Sequence, residues 1–140
     1  MDRPELGFLL SRLMREVMDR EKPILDAAGL EMWDYAVLTA LAESDAPTQA
    51  QLAATTGRDK TRLIGNLDRL EARGMVERQP DPDDRRNRIV SLTRAGSRAL
   101  RGCREAIAAM ETELLGDLDP ADRAAFERAL TALARDNLRA

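Results

Sequence analysis

Asp81-Pro82-Asp83-Asp84-Arg85-Arg86-Asn87-Arg88-Ile89-Val90-Ser91-Leu92-Thr93-Arg94-Ala95-Gly96 changes character twice within one short stretch. Its first seven residues are aspartates and arginines with one proline and one asparagine, the chemistry of a turn. Arg88 to Leu92 alternates, with Val90 and Leu92 on one side, which is the period of a half-buried strand. Thr93 is a helix N-cap residue, and a helical period follows it. On the other side of the turn, Met75 to Gln79 repeats the strand pattern around Val76. The stretch therefore reads as a β-hairpin with a charged tip that runs into a helix.

What precedes the hairpin decides its meaning. Thr48-Gln49-Ala50-Gln51 fits a capping box, in which the Thr48 hydroxyl and the Gln51 side chain satisfy each other's backbone amides. Leu52 and Ala53 follow as the inner face, and Gly57 suits a left-handed helix stop. Asp59 then caps a new helix to Arg73, with Leu63, Leu67 and Leu70 as its buried stripe, Ile64 beside them and Gly74 as its stop. Two helices joined by a short turn, the second longer and basic, form a helix-turn-helix pattern. A hairpin directly after the second helix is the outline of a wing.

The flanks are helical. Leu6, Leu10, Leu13, Met14, Val17 and Met18 line one face of a helix over residues 4–22, which Pro23 is expected to kink or end. Gly29 is a further stop. Tyr35, Leu38, Leu41 and Ala42 form the inner face of a helix over 32–43. Thr93 opens a long helix to about Gly116. Its apolar positions, Leu100, Cys103, Ile107, Met110 and Leu114, have the spacing of a heptad seam and suggest a shared interface more than packing within one chain. Asp119-Pro120 opens a last helix, lined by Phe126, Leu130, Leu133 and Asn137. A chain this short has nothing obvious to cover its first and last helices, so a second subunit is expected to do so.

Composition narrows the function. At 140 residues the chain suits one domain. It has no histidine and one cysteine, which removes the usual general base, the commonest zinc ligand and any internal disulfide. No cofactor or metal is expected, and no enzyme: Asp83, Asp84, Glu111 and Glu113 have no nucleophile, phosphate loop or metal spacing around them. No apolar run approaches a membrane span and no signal-peptide core is seen, so a cytoplasmic protein without a membrane partner is expected. Few aromatics argue against stacking on single-stranded nucleic acid. The net charge of −3 conceals a division. Residues 58–104 carry 13 basic and 7 acidic side chains, a net of +6, while residues 1–57 and 105–140 carry −5 and −4. A basic middle between acidic flanks suits a polyanion-binding module on a separate scaffold.

The order of elements resembles the MarR (multiple antibiotic resistance regulator) family of winged-helix transcription factors over nearly the whole chain. Residues 81–96 look like that family's wing signature, an acidic-arginine tip and a strand ending in Leu-Thr-x-x-Gly. Residues 59–71 with Gly74 are similar to its recognition helix. The resemblance implies a mainly α fold with a small β-hairpin wing: a winged helix-turn-helix part over 30–93 and a helical dimerisation part over 1–29 and 94–140. It also implies a homodimer on double-stranded DNA, with a pseudo-palindromic operator, and most often repression. A winged helix that instead uses this surface to bind protein is the alternative.

Residue roles follow. The helix 58–73 is expected in the major groove through Arg58, Lys60, Thr61, Arg62, Gly65, Asn66 and Arg69, which sit away from the leucine stripe. Arg62 suits a guanine edge and Asn66 an adenine, while Lys60 and Arg69 suit phosphates. Gly65 leaves room for close approach to DNA or to a neighbouring helix. By resemblance, Arg86 enters the minor groove, held by a salt bridge from Asp84, and a narrow A·T-rich groove favours such an arginine. Arg85 and Arg88 add phosphate contacts. The family's small aromatic or phenolic effectors bind between the dimerisation helices and the winged helix. Met32, Trp33 and Tyr35 lie near that hinge, although Trp33 and Tyr35 read more readily as core anchors. Some relatives sense oxidants through a cysteine near the N-terminus, which is lacking here. Cys103 reads as a buried structural thiol, with redox sensing open.

Overall fold

The computed structural model describes residues 3–137. Six helices and one hairpin follow in the order α1 (Leu6–Ala27), α2 (Met32–Glu43), α3 (Gln49–Thr56), α4 (Lys60–Ala72), β1 (Val76–Pro80), β2 (Arg88–Leu92), α5 (Arg94–Leu114) and α6 (Pro120–Asn137). Two compact units divide after Ile107. The fold is the mainly α, winged helix-turn-helix architecture read from the sequence.

The helix boundaries obey local chemistry. Thr48 and Gln51 make the expected capping box, at 3.1 Å and 2.9 Å. Asp59 accepts from the Arg62 amide, and Asp119 from the Asp122 amide. Pro23 does not end α1, which continues to Ala27. The extra turn brings Leu25 into the core at 3% exposure, and that burial, about 1.5–3 kcal/mol, offsets much of the proline's cost of about 3 kcal/mol. The stop comes at Gly29, whose φ of 70° places it in the left-handed region. There the Gly29 amide bonds Asp26 and the Leu30 amide bonds Leu25, so two orphan carbonyls are satisfied while Leu25 and Leu30 pack.

The first unit holds one core, built from Leu25 and Leu30, Val37, Leu38 and Leu41 of α2, Leu52 of α3, the α4 stripe Leu63, Leu67 and Leu70, and Val76 and Val90 of the hairpin. Ala42, placed on the inner face by periodicity, is exposed. The hairpin is antiparallel, with Val76 opposite Leu92 and Pro80 opposite Arg88. It is tied back to the helix-turn-helix by a bridge between Thr48 and Ile89 and by the Val90 amide bonding Pro47 at 2.9 Å. Thr93 locks the end of the wing to the start of α5. Its amide bonds the Met75 carbonyl, its hydroxyl donates to Gly74, and its Oγ1 accepts from the Gly96 amide. A side chain at position 96 would meet the Met75 carbonyl oxygen at 2.0 Å, so only glycine fits there.

The heptad seam of α5 requires correction. Leu100 and Cys103 belong to the core of their own chain, and Ile107 and Met110 are also buried without a second subunit. The apolar stripe of α1 differs: Leu6, Leu10, Met14 and Met18 are exposed. In the second unit Leu130 and Leu133 of α6 are exposed and Phe126 is half-buried; the Asn137 side chain lies outside those described. No helix among the described residues is long and apolar enough to cross a membrane.

Candidate nucleic-acid interface

Two features present positive charge outward from the first unit: the start of α4 and the tip of the hairpin. On α4, Lys60, Thr61 and Arg62 are exposed, with Arg62 at 3.4 Å from Asp59. One turn on, a Cβ at Gly65 would meet nothing within 4 Å, so no neighbouring helix of this chain accounts for the glycine. Lys60, Thr61, Arg62 and Gly65 therefore form an open surface.

Asn66 departs from expectation. It is fully buried, its amide donates to Asp34 at 2.6 Å, and its carbonyl accepts from Arg58 Nε at 2.8 Å. Reading an adenine would require breaking both bonds. The signal missed in the sequence is its position beside the Leu63/Leu67/Leu70 stripe, at the edge of the buried face. Arg58 and Arg69 are also engaged. The Arg58 guanidinium lies 4.6 Å from the centre of the Trp33 ring, a cation–π distance. Arg69 pairs with Asp34 at 2.9 Å and Glu31 at 3.0 Å. Arg73, at the end of α4, donates to the Ala28 and Gly29 carbonyls that end α1. Glu31 and Asp34 form a capping box at the start of α2, which sequence reading missed because its usual signature begins with serine or threonine.

At the hairpin tip, Arg86 is 89% exposed and forks onto Asp84 through Nε at 3.0 Å and Nη2 at 3.1 Å. The Arg86 amide also bonds Asp84 Oδ1 at 3.1 Å. These bonds hold the Asp84 carboxyl below its ordinary range and push the Arg86 guanidinium above its own. The turn is fixed by the Asn87 amide on the Asp84 carbonyl and the Asp81 amide on the Asn87 carbonyl. Arg85 and Arg88 are exposed beside it, Arg88 donating to the Arg78 carbonyl at 3.3 Å. The wing arginine is thus held in one direction by Asp84, the salt bridge that the resemblance implied.

Arg78 escaped the sequence reading because its partners lie on other elements. It is mostly buried and donates through Nη2 to Asp68 at 2.6 Å and Glu71 at 2.8 Å. Its amide donates to Glu71 at 3.1 Å. These bonds tie β1 to α4.

The effector residues separate. Met32 and Trp33 are exposed, and Tyr35 packs against the core. Of the three, only Met32 lines a cavity of about 370 Å³ between α1 and the α1–α2 corner, along with Met18, Leu25 and Leu30. Trp33 faces Arg58 instead, and so is neither a core anchor nor part of that cavity.

Comparison with known proteins agrees with this geometry. The family model described as MarR family matches residues 28–87. The transcriptional regulator HosA of Escherichia coli O111:H- is 31% identical, covering 83% of this chain and 78% of its own. The crystal structure of MarR superposes with a TM-score of 0.87 at 28% identity, covering 99% of this chain and 95% of the other. The transcriptional repressor CouR bound to a 23-mer DNA duplex superposes with a TM-score of 0.80 at 28% identity, covering 93% and 92%. CouR from Rhodococcus jostii RHA1 is also known bound to p-coumaroyl-CoA, at a TM-score of 0.73, 30% identity and coverage of 93% and 92%. Helix-turn-helix, wing and relatives converge: this chain belongs to the MarR family and is a DNA-binding transcriptional regulator.

Proposed function

We propose that the chain acts as a homodimeric repressor that binds a pseudo-palindromic operator, without catalysis, in the cytoplasm. Residues 30–93 form the DNA-binding part, and residues 1–29 and 94–140 the dimerisation part. Lys60, Thr61, Arg62 and Gly65 face the major groove. Arg86 enters the minor groove, with Arg85 and Arg88 on flanking phosphates. The observation that carries this reading is the Asp84–Arg86 fork at the hairpin tip. An exposed arginine ordinarily samples many rotamers; here its direction is set before DNA arrives, so less entropy is lost on binding. Dimerisation is supported by the exposed stripe of α1, Leu6, Leu10, Met14 and Met18. Repression needs only occupancy of the operator.

An effector is part of the same proposal. The cavity beside Met32 falls in the size range of small-molecule sites; Met18, Leu25, Leu30 and Met32 give it an apolar part, and Asp19, Glu21, Asp26, Glu31 and Lys22 a charged one. Its apolar part suits the ring of a small aromatic or phenolic effector, four carboxylates against one lysine disfavour an anionic one, and CouR is a relative whose structure is known with p-coumaroyl-CoA bound. Release then requires that the effector bind the DNA-free arrangement more tightly.

The test is selection of duplexes from a random pool by the wild-type chain, at two salt concentrations. A palindromic consensus and a steep fall of affinity with salt are expected. Arg86→Ala should then weaken binding to the selected duplex by more than about tenfold, or ~1.4 kcal/mol, with unchanged folding. Wild-type retention of the whole pool without enrichment, or equal binding by the folded variant, would refute the reading.

A further inference from the structure

We propose that Asp34, a buried residue of α2 outside the open surface of Lys60, Thr61, Arg62 and Gly65, is a positioning residue that sets how the recognition helix is presented to DNA. This rests on the reading of α4 as the recognition helix. Asp34 is 3% exposed and uses both carboxylate oxygens. Oδ2 accepts from the Glu31 amide at 2.9 Å. Oδ1 accepts from Asn66 Nδ2 at 2.6 Å and from Arg69 Nη2 at 2.9 Å. Asn66 in turn accepts from Arg58, which stacks on Trp33. One buried carboxylate thus ties the first turn of α2 to the middle of α4 and, through Asn66, to Arg58 in the turn before α4.

The leucine stripe alone does not do this. Apolar contacts are nondirectional, so Leu63, Leu67 and Leu70 hold α4 against the core while tolerating rotation about its axis. Hydrogen bonds are directional, and a buried polar group left unpaired is costly, which makes one rotational setting preferred. The lever is large. Side chains reach about 5–6 Å from a helix axis, so a rotation of roughly 20° displaces a groove-facing group by about 2 Å. Base contacts require placement within about 0.5 Å. Arg62 and Gly65 lie four residues and one residue before Asn66, so the clamp fixes the residues that face outward. Within it Arg58 and Arg69 serve position rather than phosphate binding.

The experiment measures, by fluorescence anisotropy, binding of the full chain to the duplex selected by wild type and to a scrambled duplex of the same composition. It is run across a salt series with folding checked by circular dichroism. Asn66→Asp puts two carboxylates in contact. It should lower the ratio of specific to non-specific affinity by at least about tenfold. The exchange Asp34→Asn with Asn66→Asp restores a donor opposite a carboxylate and should return the ratio to within about threefold of wild type. Arg69→Ala, at a half-exposed position and with folding checked in the same way, is the second arm. It should weaken specific binding by at least about threefold and leave non-specific binding and the salt slope unchanged.

A folded Asn66→Asp with the wild-type ratio overturns the proposal. So does an exchange variant as impaired as the single one. An Arg69→Ala variant that weakens both duplexes equally and lowers the salt slope by about 1 makes Arg69 a phosphate contact and overturns it too. If wild type itself fails to distinguish the duplexes, the DNA reading fails, and that result is separate from the others.

Discussion

Gly65→Ala should separate folding from DNA binding, because it is expected to improve one and harm the other. The position lies inside α4, away from both helix ends, and an added Cβ meets nothing within 4 Å. No steric cost therefore opposes the gain in helix propensity, about 0.8–1.0 kcal/mol. For a chain of this length that gain should raise Tm by about 3–5 °C. On DNA the same methyl group enters the surface that faces the groove. Overpacking by one methyl costs about 1–3 kcal/mol. Even the lower figure applies at both half-sites of a dimer and gives about 2 kcal/mol, or roughly thirtyfold in Kd. Thermal denaturation and anisotropy with the selected duplex, on the same preparation, read the two effects. An unchanged or lower Tm would refute the open space beside Gly65. A higher Tm with wild-type affinity would refute the placement of Gly65 against DNA.

Gly96→Ala should act in the opposite sense. Its Cβ would fall 2.0 Å from the Met75 carbonyl oxygen, a backbone atom that cannot swing aside, so a strain of about 2–4 kcal/mol outweighs a helical gain near 1 kcal/mol. The midpoint of urea denaturation should fall clearly, and a rise would disprove the close packing. Glu71→Gln tests the tie between wing and recognition helix. Hydrogen bonding from Arg78 holds the Glu71 carboxyl below the usual glutamate range, against opposing burial. Its folded pKa is depressed, so its stabilisation is fully present above the unfolded value of about 4.3 and is lost as pH falls through the lower folded value. The Tm gap between wild type and variant should be widest near neutral pH and close below about pH 4. A gap independent of pH would contradict the pairing. Finally, burial pushes the Cys103 thiol up. A disulfide reagent should label it at least about a hundredfold faster in denaturant than in the folded chain, and peroxide should leave operator binding of wild type and Cys103→Ser alike. Peroxide release from wild type alone would make Cys103 a sensor.

The most legible parts of this protein were those whose signals are local. Thr48 and Gln51 cap α3 as their spacing implied, and Asp59 and Asp119 do the same for α4 and α6. The hairpin was readable from its turn chemistry, and the Asp84–Arg86 fork was expected from the family resemblance rather than from spacing. Pro23 misled because a local penalty was weighed without the burial of Leu25 that offsets it. The heptad spacing of Leu100, Cys103, Ile107 and Met110 described an apolar face correctly but not what covers it.

By itself the sequence determined the helices, the turn chemistry, the concentration of positive charge in residues 58–104 and the family. Each depends on residues within a few positions of one another, where capping, periodicity and φ preferences act. Only the tertiary structure decided which arginines face outward and which are held by other elements. Arg62 and Arg86 point outward, while Arg58, Arg69 and Arg78 are taken by Trp33 and Asn66, by Glu31 and Asp34, and by Asp68 and Glu71. Most of these partners stand on another element, 25 or more positions away for Trp33, Glu31 and Asp34. A polar residue's role depends on the hydrogen-bonding groups that folding brings to it, and neither charge nor helical spacing encodes their identity.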